Sequence, residues 1–217
     1  MIYLIGKGSF FNTSFTMDVA GTSQIPKRFS KILEACKPYY ETSRPGDLEH
    51  ALETAKDILT YKGKLPLDLD VFIPVALMHD IGHAAILGEH FMYITGPKKL
   101  ANGKLVHMLT GAKIASDILK QIGYDKKKSE EIVEIISIHD ADALEGIDQK
   151  EFYNSNNKKI FHDFDRLDRF TELRLQKIKK LYSPKDLIPI LQESLDGFFF
   201  AELRKIAEER MKNLALS

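Results

Sequence analysis

Residues 75–83 read Val75-Ala76-Leu77-Met78-His79-Asp80-Ile81-Gly82-His83, and they decide the fold. A run of apolar residues ends there in a histidine and a carboxylate, and a glycine follows two positions later. An ionised carboxylate that is buried without a partner costs on the order of several kcal/mol. Because packing cannot account for Asp80, we interpret His79 and Asp80 as residues that hold a cation. Further ligands are then expected elsewhere in the chain.

The composition indicates a soluble globular protein of one domain, or of one domain with an added helical piece. Apolar residues make up 44% of the 217 residues, enough for a sizeable core, and 31 Lys and Arg balance 31 Asp and Glu. This balance indicates no general binding to nucleic acid or to an anionic membrane, and no apolar run reaches the roughly 18 residues of a membrane span. The single cysteine, Cys36, suits a reducing compartment. We interpret it as a small apolar side chain and expect a cytoplasmic protein.

Apolar residues at helical spacing predict an all-α bundle. Residues 1–24 suggest an extended N-terminal arm, packed on the body or on a second subunit, or a partly disordered segment, because Gly, Ser, Thr and Asn there disfavour a helix. Residues 25–217 form the predicted helical domain. Its helices are expected from Pro26 to Lys37, from Asp47 to about Leu59, from Asp68 or Asp70 to Gly82, from Lys104 to Ile122, from Ser129 to Ile138, from Lys158 to Tyr182, and over 184–195 and 197–214.

Proline, glycine and capping residues set the predicted ends of these helices. Pro38 is expected to stop the first helix, and Pro74 is expected in the first turn of the central one. Gly82 either ends the central helix or lets two backbones approach. Gly123 is expected to cap the helix before it, and Ser129 to cap the helix after it.

Several helices carry a histidine or a carboxylate on or near an apolar stripe. One such histidine alone is more often a packing or surface residue, but together they supply several imidazoles and carboxylates. Donors of these two kinds suit iron, manganese, zinc and related cations, and one bridging carboxylate would let two cations lie close together. The positions are His50, His79-Asp80, His107, His139-Asp140 and the group Asp163, Asp165 and Asp168.

The order of these residues resembles the HD-domain superfamily of metal-dependent phosphohydrolases. The pattern of that superfamily is a His, then a His-Asp pair, then a terminal Asp, which here are His50, His79-Asp80 and Asp165. The resemblance covers residues 44–170 and leaves 171–217 as C-terminal helices. Its matching contexts are Arg44-x5-His50, the run from Ala76 to Gly82, and Asp165-Arg166-Leu167-Asp168.

The resemblance also implies a second metal ion. Relatives with two metals add two histidines, which His107 and His139 resemble. One or two divalent ions of Fe, Mn, Zn, Co or Ni are then implied, one held by His50, His79, Asp80 and Asp165, and the other by Asp80, His107 and His139. Asp80 would bridge them. Asp163 is the main alternative to Asp165, and Asp168 could orient a ligand.

Two positions depart from the family pattern. Many relatives have Lys where this chain has His83, which could bind phosphate when protonated, act as an acid or base, or have no role. Some two-metal relatives have a further His at the position of Asp140, which could orient His139 or a bound water, or be a solvated residue. Candidates for holding phosphate are Lys98, Lys99, Lys104 and Arg166.

The leading hypothesis for function is hydrolysis of a phosphoester in a small molecule, above all a nucleotide, by metal-activated water. Asp80, His83 and Asp140 are the candidate catalytic residues. One alternative is an oxygenase with two irons, because some relatives with the same six ligands cleave C–C or C–P bonds with O₂. Another is a non-catalytic nucleotide-binding module. The sequence leaves open whether the chain forms a homo-oligomer.

Overall fold

The structure is a computed structural model that describes residues 24–86, 99–144, 146, 148–179 and 184–215. These residues form helices and no strand, which confirms the all-α prediction. All but the last residue of the predicted arm, 1–24, lie outside the described residues. The helices are α1 (Ser30–Tyr40), α2 (Asp47–Tyr61), α3 (Leu69–Met78), α4 (Lys99–Gln121), α5 (Lys126–Ile136), α6 (Gln149–Phe152), α7 (Asn156–Leu167), α8 (Glu172–Lys179), α9 (Pro184–Asp196) and α10 (Ala201–Ala215).

The central helix α3 is buried along nearly its whole length, from Val71 to Met78. It packs against α2 and α5, and the 3-10 helix Ile81–Ala85 that follows it packs against α4. Burial of each large apolar side chain contributes about 1.5–3 kcal/mol, so these contacts fix the position of the chain that leaves α3. Within the described residues, no helix has the length and apolar character needed to cross a membrane.

Pro74 lies in the second turn of α3, so its predicted place in the first turn was wrong. A proline at this position cannot donate to the carbonyl of Asp70, four residues earlier. The hydroxyl of Tyr124 donates to that carbonyl over 2.7 Å. A side chain from another element thus satisfies the acceptor that the helix leaves unpaired.

Three predicted helix ends were also wrong. Pro38 does not stop α1, which continues to Tyr40, a buried residue whose hydroxyl donates to the carbonyl of Leu77 over 3.0 Å. The cap of α5 is Asp125 and not Ser129, because the Asp125 side chain accepts a hydrogen bond from the Lys128 amide over 2.8 Å. The helix that was predicted to begin at Lys104 begins at residue 99.

The long helix that was predicted from Lys158 to Tyr182 is broken. α7 ends at Leu167, a short 3-10 helix covers Asp168–Phe170, and Thr171 is extended before α8. The Thr171 hydroxyl and amide both donate to the carbonyl of Asp168, over 2.8 and 3.0 Å. Threonine competes with helical hydrogen bonds in this way, and the break places Asp168 beside α2.

Candidate metal centre

Asp80 lies between two pairs of histidines. Its Oδ2 lies 3.7 Å from His79 Nε2 and 3.9 Å from His50 Nε2. Its Oδ1 lies 3.5 Å from His139 Nε2 and 3.7 Å from His107 Nε2. One carboxylate oxygen thus faces each histidine pair, which is the arrangement that a bridging carboxylate needs.

Asp165 completes the group around His50 and His79, which with Asp80 Oδ2 we call the first half of the centre. Asp165 Oδ1 lies 2.8 Å from His50 Nε2 and 3.3 Å from His79 Nε2, and the two Nε2 atoms are 3.0 Å apart. These residues come from α2, α7 and the end of α3. The first half offers two imidazole nitrogens and two carboxylate oxygens.

The second half of the centre consists of His107 on α4, His139 after α5, and Asp80 Oδ1. The two Nε2 atoms are 3.2 Å apart, and the rings meet edge to face with centroids separated by 5.0 Å. His107 reaches Asp80 because two glycines let the backbones approach. A Cβ atom on Gly82 would lie 1.9 Å from the carbonyl oxygen of His107, and one on Gly111 would lie 3.2 Å from that of His79.

Backbone carbonyls orient three of these imidazoles through Nδ1. The distances are 3.0 Å from His79 to Ala76, 2.8 Å from His139 to Ile136 and 3.4 Å from His107 to Gly103. A carbonyl oxygen can only accept, so each Nδ1 carries a proton, and in a neutral ring Nε2 then presents a lone pair. Nδ1 of His50 lies instead 3.0 Å from Asp168 Oδ2.

The donor set fits metal ions. The lone pairs on Nε2 of His107 and His139 would repel each other across 3.2 Å, so a proton or a cation must lie between these two atoms. Ligand atoms of His50, His79 and Asp80, and likewise of His107, His139 and Asp140, lie within 4.8 Å of one another. Bonds of about 2.1 Å to one ion give comparable spacings, and mixed imidazole and carboxylate donors suit transition metals.

The electrostatics of the first half favour positive charge. Burial would raise the pKa of Asp80, but His79, His139 and His83 outweigh it and hold that pKa well below its usual range. Burial would also raise the pKa of Asp165, which His50 and His79 hold well below its usual range. Burial would lower the pKa of His50, but Asp165 and Asp168 raise it well above normal. The carboxylates are therefore anions that stabilise a cation beside them.

The second half also favours one positive charge. Burial lowers the pKa of His107 to about 4, although Asp140 opposes the shift. Burial would lower the pKa of His139 as well, but Asp80 and Asp140 raise it to about 9. Of two adjacent imidazoles, one is thus neutral and the other is stabilised as a cation, so a metal ion would replace a proton here.

A cleft leads to Asp80 from the surface. Of the described residues that line it, four are cationic, namely Arg44, Lys104, Arg169 and Arg174, and five are carboxylates, including Asp80 and Asp165. Arg44 Nη2 lies 3.3 Å from Asp80 Oδ2 and also binds Asp47. The cleft therefore brings cationic side chains to the edge of the histidine cluster.

His83 and Asp140 both lie beside the second half. His83 Nε2 is 3.4 Å from Asp80 Oδ1, and this buried nitrogen has no hydrogen-bond partner among the described residues. Asp140 Oδ2 lies 3.3 Å from His107 Nε2 and accepts a hydrogen bond from Lys104. The structure thus brings both positions that depart from the family pattern to the cluster.

Two of the proposed residues lie elsewhere. Arg166 is buried away from the cleft, where Nη2 donates to Asp142 over 2.5 Å and Nη1 to the carbonyl of Ser194 over 3.3 Å. Asp163, the alternative to Asp165, accepts hydrogen bonds from the amides of Phe199 and Phe200. Arg166 and Asp163 therefore join α7 to the C-terminal helices. Lys98 and the side chain of Lys99 are outside the described part of the chain.

Sequence reasoning missed three arginines of the cleft. In the sequence, Arg44 was considered only as part of the context of His50. Its spacing from His50, Arg44-x5-His50, could have indicated that it lies near the ligands. Arg169 and Arg174 line the cleft because the helix breaks between Leu167 and Glu172. In the continuous helix that the sequence predicts, their side chains would point elsewhere.

Comparisons with known proteins agree with this fold. The HD domain family model matches residues 47–170, more than half of the chain. The crystal structure at 1.45 Å resolution of a predicted HD superfamily hydrolase from an uncultured Thermotogales bacterium is similar in fold, with a TM-score of 0.60 and 20% identity over 89% of this chain and 90% of that one. Comparison with curated proteins gave no match. The chain belongs to the HD-domain family.

Proposed function

We propose that the protein is a metal-dependent phosphohydrolase that acts on a nucleotide or another small phosphoester. The observation that carries this proposal is the position of Asp80, whose two oxygens each face one histidine pair beneath a cleft with cationic side chains. Two divalent ions bound there would act as Lewis acids toward the phosphoryl group and would supply a nucleophilic water at neutral pH.

The charge of the cleft makes substrate binding depend on the metal. Among the described residues that line it, five carboxylates outnumber four cationic side chains, so these side chains alone attract a phosphate only weakly. Divalent cations reverse this balance. Arg44, Arg169 and Arg174 would then bind phosphoryl oxygens, and Lys104 would do so from the side of the second half. Guanidinium groups suit this role because they bind such oxygens in pairs.

His83 is the residue best placed to handle a proton. Its Nε2 is buried without a hydrogen-bond partner among the described residues and lies 3.4 Å from Asp80 Oδ1. It would hold a proton at Nε2 for the oxygen that leaves phosphorus. The lone thiol does not compete for a role in catalysis, because burial raises the pKa of Cys36 and suppresses its thiolate.

The test is phosphate release from a panel of nucleotides and phosphoesters by protein loaded in turn with Mn, Fe, Co, Ni and Zn. We expect at least one compound to be hydrolysed, and His79→Ala and Asp80→Ala to abolish this activity. Asp117→Ala is the matched control, because Asp117 is an exposed residue that pairs with Lys113 on the surface of α4. Full phosphate release by His79→Ala and Asp80→Ala would contradict the proposal.

The same donors suit two irons, so an oxygenase is the second candidate. The supporting observation is that each half has two imidazoles and shares one carboxylate. Protein that is loaded anaerobically with iron and then mixed with O₂ and the same panel distinguishes the two functions. O₂ uptake that exceeds that of Asp80→Ala would favour the oxygenase, whereas phosphate release that proceeds without O₂ would favour the phosphohydrolase.

A further inference from the structure

The two halves of the centre differ in their carboxylates. The first half has two, because Asp165 Oδ1 lies 2.8 Å from His50 Nε2 and Asp80 contributes Oδ2. The second half, as the family pattern implies it, has only the other oxygen of Asp80 beside His107 and His139. A cation there would share its one carboxylate with its neighbour, which leaves its charge poorly compensated.

Asp140 is the nearby carboxylate that can complete the second half. Its Oδ2 lies 3.3 Å from His107 Nε2 and 3.8 Å from His139 Nε2, and its side chain is only 12% exposed. Ligand atoms of these three residues lie within 4.8 Å of one another. The second half then has the same four donors as the first, namely two imidazole nitrogens and two carboxylate oxygens.

His83 is a less suitable fourth ligand for the second half than Asp140. Its ring lies parallel to that of His107, with an interplanar angle of 8° and centroids 4.1 Å apart. The lone pair of an imidazole nitrogen lies in the plane of its ring. A cation in the ring plane of His107 therefore lies outside the ring plane of His83. Nε2 of His83 faces Asp80 instead.

Besides a cation held by His107 and His139, the ammonium group of Lys104 would also place a positive charge beside Asp140. Its ammonium group donates to Oδ2, the same oxygen that faces the two histidines. The Lys104 side chain is 36% exposed, and its flexible stem can turn toward the cleft. A metal ion and this ammonium group would therefore compete for one carboxylate oxygen.

We propose that Asp140 is a ligand of the cation held by His107 and His139, and that Lys104 weakens this cation's binding by competing for Asp140. This inference rests on the proposed function only in that it needs a second cation. It requires no particular substrate or reaction, so metal binding alone can test it.

The test measures metal ions per chain and their affinities, with Mn(II) and Zn(II), in wild type and in four variants. Asp140→Asn should keep the ion of the first half and bind that of the second at least about 10-fold more weakly. Asp165→Asn should show the reverse. Lys104→Met should bind the second ion more tightly, and Asp140→His should restore two ions because imidazole is also a ligand.

Unfolding of the metal-free proteins controls for damage to the fold. If the Lys104 and Asp140 pair were merely structural, Lys104→Met and Asp140→Asn would change metal binding equally or not at all, and either result would overturn the inference. An Asp140→Asn protein that binds two ions with wild-type affinity would overturn it as well, as would a wild type that binds one ion. Failure of the proposed function is distinguishable, because it would leave these metal counts unchanged while no compound releases phosphate.

Discussion

The chain contains two His-Asp turns with nearly the same local structure. His79-Asp80 follows α3 and His139-Asp140 follows α5. In each turn the histidine Nδ1 contacts the carbonyl three residues earlier, at 3.0 and 2.8 Å. In each, the carbonyl of the aspartate accepts a hydrogen bond over 3.0 Å from the amide three residues later, which begins a 3-10 helix.

The turns differ in what packs against them. After Asp80 come Ile81-Gly82-His83, and Gly82 contacts the backbone of α4. After Asp140 come Ala141-Asp142-Ala143, and Asp142 instead accepts a hydrogen bond from Arg166 over 2.5 Å. Close packing places Asp80 between both histidine pairs, whereas charged side chains hold Asp140 at the edge of one pair. The same motif therefore has two roles, which its neighbours decide.

The largest contrast between the turns is expected on removal of each carboxylate charge. Asp80→Asn should weaken metal binding in both halves and reduce hydrolysis on the order of 1,000-fold, because it removes several kcal/mol of transition-state stabilisation. Asp140→Asn should affect one half only. Metal analysis of both variants beside phosphate release checks this, and loss of a single ion from Asp80→Asn would show that Asp80 does not bridge.

Packing at the first turn should be sensitive to a single methyl group. Gly82→Ala is expected to cost about 3 kcal/mol or more of the free energy of unfolding, because overpacking forces backbones apart and the added Cβ would meet the His107 carbonyl at 1.9 Å. The matched control is Gly63→Ala, where a Cβ meets nothing within 4 Å. Urea unfolding of the metal-free proteins measures the free energy of unfolding of the two variants. Equal values for Gly82→Ala and Gly63→Ala would contradict the packing argument.

A tyrosine hydroxyl supports the backbone at each turn. Tyr40 donates to the carbonyl of Leu77 over 3.0 Å, and Tyr153 donates to that of His139 over 2.9 Å. Tyr40→Phe and Tyr153→Phe should each lower the free energy of unfolding by about 1–3 kcal/mol, because each leaves a buried carbonyl unpaired. Urea unfolding that shows a cost for only one variant would mean that the turns are not supported alike.

The smallest effect is the pH dependence of the stability that His162, beside the second turn, contributes. Burial would lower the pKa of His162, but Asp142 and Asp163 outweigh this and raise it, although Arg166 opposes them. The stabilisation is complete below the unfolded pKa of about 6.5 and is lost as the pH rises through the raised folded pKa.

The stability difference between wild type and His162→Gln, measured without metal, should therefore shrink as the pH rises. The corresponding difference for Gly82→Ala should change little with pH, because no charged group is altered. A His162→Gln difference that grows with pH would contradict the direction of the pKa shift.

The sequence predicted the central helix and the buried His-Asp pair that follows it, because the apolar run and its polar stop are local features. It also identified six candidate ligands that the structure brings together. The family resemblance assigned the last ligand to Asp165 but left Asp163 as the main alternative, because the orientation of α7 relative to the centre depends on packing with α2 and α10. Arg166 was assigned to the substrate for the same reason, although it lies on another face of α7.

Other features depended on competition that local patterns do not reveal. Thr171 breaks a continuous apolar stripe by bonding to the carbonyl of Asp168, which turns Arg169 and Arg174 to the cleft. α1 continues past Pro38 because Tyr40, two residues further on, is buried, and this burial stabilises the last turn of the helix. In each case a tertiary contact outweighs a local preference.

The most direct test of the account is anomalous scattering from crystals of the metal-loaded protein. Two peaks about 3.5–4 Å apart are expected, one on either side of Asp80. The first should lie against His50, His79 and Asp165, and the second against His107 and His139. A single peak, or two peaks that do not share Asp80, would contradict the central claim that this carboxylate bridges two metal ions.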